Sequence, residues 1–170
     1  MSGLSNIELK QLAKSHGIPL DAVVNKDQLK RLNSVPIVKK DDLIINLSSL
    51  FDKEGNMLPG SHWVSLCYFK KANVFCYYDS YGFVPPVDVV QFCDKTSPKA
   101  DIIYTDTQIQ ALETTTCGYY AIIFIYYMRR YVNKQETNVR AVYNKFVKEF
   151  SEKKLELNNT RLGGLLKKYF

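Results

Sequence analysis

The stretch HWVSLCYF at 62–69, followed by KKAN and then VFCYYD at 74–79, decides the reading of this chain. Both runs are rich in β-branched and aromatic residues, and a connection of four residues joins antiparallel neighbours. A turn centred between Lys71 and Ala72 sets His62 opposite Tyr81 and Val64 opposite Asp79. Directly paired residues share a face, as do positions two apart along a strand, so His62 and Asp79 become diagonal neighbours on one face. A slip of one residue would undo this, so the register is a testable expectation.

Upstream of the hairpin, Ser5 and Glu8 form a capping box for a helix to about His16, stopped by Gly17-Ile18-Pro19. Asn25 and Gln28 cap a second short helix with Leu29 and Leu32 on one face, ended at Val35-Pro36. Such a pair of helices is also the outline of small DNA-binding modules. The β-branched run DLIINL from Asp42 reads as a strand. Downstream, VDVVQFC after Pro85-Pro86 reads as a helix, 101–105 (DIIYT) as a strand, and QIQALETTT as a loop leading to Cys117. From Cys117 to about Val132 nearly every residue is apolar or aromatic, which predicts a buried helix beginning at the cysteine. An amphipathic helix is expected over 137–155, and the tail NNTRLGGLLKKYF with its Gly163-Gly164 break reads as mobile.

At 170 residues the chain suits one domain: a helical part at 1–36, a core at 42–132, a helix within 133–157 and a tail at 158–170. The fold class expected is α+β. A formal charge of +6 permits a polyanionic partner without specifying one. Cys67, Cys76, Cys93 and Cys117 form no CxxC pair and have no histidine at ligand spacing, so no metal site is expected. The opening MSGLSNIELK lacks a signal-peptide pattern, which points to a reducing compartment and free thiols. The apolar run 118–128 is short of the ~20 residues that span a bilayer, so no membrane partner is expected.

A thiol attacks a carbonyl as its thiolate, and a helix N-terminus stabilises that anion. Cys117 sits at such a place, with Gly118 after it leaving room for a substrate backbone. A free cysteine is most often a core residue, so the company matters. Of the two histidines, His16 lies at a helix stop, whereas His62 opens the hairpin and is the candidate general base, with Asp79 to orient its ring. Gln110, seven residues before Cys117, is the candidate oxyanion donor, and Gln108 is its competitor.

The order His62-Trp63, Asp79-Ser80-Tyr81-Gly82, Gln110, Cys117-Gly118 resembles the adenovirus-protease and SUMO-protease clan of cysteine peptidases, most of all the maturation proteases of virophages and Polinton-type elements. The resemblance covers about 44–128, and GIPLDAVVNKDQL also resembles the segment before the catalytic hairpin of the viral branch. It implies a central helix bearing the nucleophile, packed on a mixed, mostly antiparallel sheet. It implies cleavage at small-residue sites, often after Gly, in a groove beside Trp63. The substrate implied is a capsid or other virion precursor, with the enzyme in the virion and in the host cytoplasm or virus factory. No cofactor is required, and DNA is the candidate activator, acting through the basic C-terminal helix. Cleavage of the chain's own tail after Gly164 is a further expectation. Two other functions fit parts of the pattern: a protease or acyltransferase acting on ubiquitin-like modifiers of the host, and a non-enzymatic DNA-binding protein.

Overall fold

The computed structural model describes residues 1–34, 41–56, 61–132 and 138–170. In chain order the elements are α1 (Asn6–Ser15), β1 (Ala22–Asn25), α2 (Leu29–Asn33), β2 (Asp42–Asn46), β3 (Trp63–Phe69), β4 (Val74–Tyr78), α3 (Val87–Thr96), β5 (Asp101–Ile103), α4 (Cys117–Val132), α5 (Val139–Val147) and α6 (Asn158–Tyr169). The five strands form one sheet in chain order, antiparallel at its centre and parallel at both outer pairs. The fold is α+β, as the patterning predicts.

Helices cover both faces of the sheet. Ile44, Cys67, Cys76 and Tyr78 pack toward α4, while Leu43, Ile45, Leu66 and Tyr77 pack toward Leu29 of α2 and Val89 and Phe92 of α3. Burial on both sides explains why β2, β3 and β4 read as continuous apolar runs rather than alternating ones. The β3–β4 pairs run from Ser65 with Tyr78 to Phe69 with Val74. This is the expected register, and one step further places Val64 opposite Asp79. A 3-10 turn over Lys70–Ala72 closes the hairpin, with Asn73 left-handed at φ 51, a conformation Asn tolerates better than most residues.

Arg129 in the last turn of α4 ties that helix to the sheet. Its Nε donates to both carboxylate oxygens of Asp42 at 2.8 Å, and its terminal nitrogen donates to the carbonyls of Asp41 and Tyr68 at 3.0 and 2.9 Å. Burial pushes the Asp42 carboxyl up to about 6, with Arg129 opposing the rise.

Several expectations need correction. The segment read as a linker between the first helices contains β1, a parallel edge strand with Val23 alone buried. Four residues between two helices carry too little periodicity to announce a strand whose partner lies some twenty positions away. The helix expected over 137–155 ends at Val147. The chain reverses there because the fully buried Asn158 accepts from the Ser151 N–H at 2.8 Å and donates to the Ser151 carbonyl at 2.7 Å. The tail expected to be mobile is α6, with Leu162 and Leu165 buried in the main core. Gly163 and Gly164 are helical, and an added Cβ at either would meet nothing, so packing overrides the cost of about 1 kcal/mol that each glycine imposes on a helix. A helical Gly164 is not the extended chain that cleavage after it requires. The strand expected at 101–105 stops at Ile103. The stop at Val35-Pro36 and the helix start at Thr137 lie outside the described residues.

Candidate active site

Cys117 is the first residue of α4, where the Thr116 carbonyl accepts from the N–H groups of Tyr119 and Tyr120. His62 immediately precedes β3, and Asp79 immediately follows β4. The histidine Nε2 lies 2.7 Å from Asp79 Oδ1, in a site where both side chains are buried. A carboxylate only accepts, so Nε2 carries the proton, and Nδ1 is the nitrogen left for Cys117. Nδ1 is buried with no hydrogen-bond partner of normal geometry. Catalytic hydrogen bonds are often loose before substrate arrives.

The electrostatics fit a thiolate–imidazolium pair. Burial alone would depress the basicity of His62, but its bond to Asp79 and its proximity to Cys117 outweigh this and push it up to about 9. Burial alone would raise the Cys117 thiol, yet His62 and the backbone N–H groups of Trp63 and Gly118 hold it below its ordinary value. Cys67, Cys76 and Cys93 move the opposite way, because burial acts on them with little opposition. Only Cys117 among the four has the environment of a nucleophile.

Asp79 is held in turn. Its Oδ1 also accepts from the Tyr81 N–H at 2.7 Å, and the Tyr81 ring stacks on His62 with centroids 4.4 Å apart. Gly82 turns the chain at φ +76, where an added Cβ would lie 2.7 to 2.8 Å from backbone atoms of Asp106, Thr107 and Gln108. The next loop therefore packs directly on this turn, with the Ile109 and Gln110 N–H groups donating to the Ser80 carbonyl at 3.0 and 2.9 Å.

Gln110 is fully buried in that loop. Its Oε1 accepts from the Ser80 hydroxyl at 2.6 Å, and its amide donates to the Thr114 carbonyl at 2.9 Å and the Tyr81 hydroxyl at 3.3 Å. The amide thus supports the loop that delivers Cys117 and lies behind the cleft wall. The donors that face the sulfur are the N–H groups of Trp63 and Gly118. Gln108 spends its own amide on the Gln110 carbonyl at 2.9 Å, so of the two glutamines Gln110 is the one tied to the His62 surroundings.

A cleft of about 350 Å³ opens beside Cys117, lined by Gly3, Leu4, Ser61, Trp63, Tyr81, Leu112, Thr114 and Thr115. Trp63 is one wall of this cleft. Gly118 serves a different neighbour: an added Cβ would lie 3.1 Å from Leu4 Cβ, so the glycine makes room for the N-terminal segment. Sequence reasoning placed Tyr81 opposite His62 without giving it a role, and it missed the pair Asn158 and Asn159. Asn158 donates to the Ile109 carbonyl at 2.7 Å, and Asn159 accepts from the Thr116 hydroxyl at 3.0 Å, so α6 pins both ends of the loop before Cys117. No local signal marks these asparagines. Among the described residues no group of three or more His, Cys, Asp or Glu is placed to hold a metal ion, and no helix is long and apolar enough to cross a membrane.

The sequence matches no family profile and no curated protein. The structure is similar to that of the ASFV pS273R protease, with a TM-score of 0.53 at 15% identity over 95% of this chain and 66% of that one. A second structure of that protease gives 0.51 at 16% identity, over 95% and 67%. The SUMO protease Ulp1 matches with a TM-score of 0.44 at 16% identity, over 96% of this chain and 79% of its own. The chain spans about two thirds of the length of the ASFV protease. The fold of this chain is therefore similar to that of the ASFV protease.

Proposed function

We propose that this chain is a cysteine endopeptidase. The observation that carries the reading is the convergence of Cys117, His62 and Asp79 from α4 and from the two ends of the central hairpin, with charge shifts that favour thiolate and imidazolium. In this mechanism the Cys117 sulfur attacks the scissile carbonyl carbon, and the His62 imidazolium gives its Nδ1 proton to the leaving amine as the C–N bond breaks. Neutral His62 then takes a proton from water, whose oxygen displaces the sulfur from the thioester, and the thiolate–imidazolium pair returns. The oxyanion donors in this mechanism are backbone N–H groups at the start of α4, while Gln110 keeps its amide on the Thr114 carbonyl and the Tyr81 hydroxyl and supports the loop before Cys117.

A capsid or virion precursor with small residues at the cleaved bond is the proposed substrate, and the virion and virus factory are the proposed location. What supports this is the resemblance of the motifs to virion maturation proteases together with the fold likeness to the ASFV protease. The test is incubation with virion proteins encoded beside this chain and with a proteome-derived peptide pool, using Cys117→Ala as control. New termini that depend on Cys117 are expected. Identical fragment sets from the two proteins would refute the reading.

A further inference from the structure

The stretch Gly3-Leu4 runs over the start of α4, and nothing in the proposed reaction uses it. Trp63 Nε1–H donates to the Leu4 carbonyl at 2.8 Å, which ties the segment to the strand that follows His62. At the other side Gly3 lies against Thr115, where an added Cβ would sit 3.4 Å from both the Thr115 Cβ and its carbonyl oxygen. Between these anchors Leu4 fills the space left by the missing side chain of Gly118, with its Cβ and Cδ1 3.1 and 3.4 Å from where that Cβ would be. The direction of the segment is set just beyond it, because Ser5 caps α1 in a reciprocal capping box with Glu8. Gly3 and Leu4 both line the cleft that contains Cys117 and Trp63.

The geometry points to Gly3-Leu4 as a strap that closes the cleft between Trp63 and Thr115 and so determines which side chains can lie beside the Cys117 sulfur. Leu4 is the specificity-determining residue: its side chain narrows the cleft and its carbonyl holds the indole of Trp63 in place. This inference rests on the endopeptidase reading for its consequence in substrate choice, whereas cleft width is measurable without any substrate. Shortening Leu4 removes atoms from the wall and leaves the bonds of His62, Asp79 and Cys117 untouched. Adding a methyl at Gly3 acts in the opposite sense, at ordinary contact distance from Thr115 and hence without a clash.

The experiment compares alkylation of Cys117 by iodoacetamide and by its bulky N-benzyl analogue, read by intact mass, in the wild type, Leu4→Ala and Gly3→Ala. Cys117 opens into the cleft and is 9% exposed, whereas Cys67, Cys76 and Cys93 are at most 2% exposed, so a single adduct reports Cys117. Leu4→Ala is expected to speed the bulky reagent by roughly 10-fold relative to iodoacetamide, the scale of discrimination an apolar wall supplies, and Gly3→Ala to lower that ratio. With peptide pools, Leu4→Ala should cleave sites with larger residues at the scissile bond. Unchanged ratios in both variants, or equal slowing of both reagents, would overturn the strap. Loss of cleavage in the wild type with the expected reagent ratios would instead refute the endopeptidase reading and leave the strap standing.

Discussion

Replacing Asp79 by Asn keeps the shape of the side chain and removes the charge that faces His62 Nε2 at 2.7 Å. The His62 value of about 9, against an ordinary 6.5, corresponds to roughly 3 kcal/mol in favour of the imidazolium. Burial works against that preference, so the partners supply more than the net amount. An opposite charge at this range contributes roughly 1–3 pH units, so its loss brings His62 back toward its ordinary value. The fraction of protein holding a thiolate beside an imidazolium near pH 7 then falls by up to roughly 10-fold, and kcat/KM falls with it. Iodoacetamide alkylation of Cys117 against pH, followed by intact mass, reads this directly. In the wild type reactivity begins below the ordinary thiol range, and in Asp79→Asn the onset moves up to that range or beyond it. Because the folded-state value of His62 is raised, its contribution to stability is complete below pH 6.5 and is lost as pH rises through about 9. The variant is therefore most destabilised on the acid side of that window. Superimposable alkylation profiles for the two proteins would refute the reasoning.

Gly82→Ala places a methyl within 2.8 Å of the backbone at 106–108 in a left-handed conformation. Denaturant midpoints should show a loss of at least roughly 1–3 kcal/mol, with peptide cleavage lowered because the Gln110 loop must move. Arg129→Met leaves the Asp42 carboxylate buried without its partner, which costs roughly 3–5 kcal/mol at neutral pH. Protonating Asp42 relieves this, and its carboxyl already titrates near 6, so the loss measured at pH 5 should be smaller than at pH 8. An equal loss at both pH values would show that packing of the arginine, and not its charge, matters there.

The central hairpin was legible because its information is local. Four connecting residues set the register, and the register alone brings His62 and Asp79 to one face. The buried α4 was legible for the same kind of reason, since an unbroken apolar run starting at Cys117 admits few other structures. The long helix expected after 137 and the mobile tail were misread because one residue, Asn158, redirects the chain by hydrogen bonds to Ser151. A Gly-Gly pair then sits in a helix sustained by burial of Leu162 and Leu165 and by packing of Leu166, Tyr169 and Phe170 on the core. Gln110 was singled out by the resemblance, with spacing alone setting it above Gln108, but its present partners, Ser80, Thr114 and Tyr81, depend on how two loops fold against each other.

By itself the sequence determined the α+β class, the strand pair flanked by His62 and Asp79, and the helix that starts at Cys117, because periodicity and turn length act over a few residues. Only the tertiary structure decided what surrounds them. The strap of Gly3 and Leu4 over Gly118 and the asparagines that pin the loop before Cys117 join residues far apart in the chain. Contacts of that kind are selected by packing of the whole fold, and no local pattern encodes them.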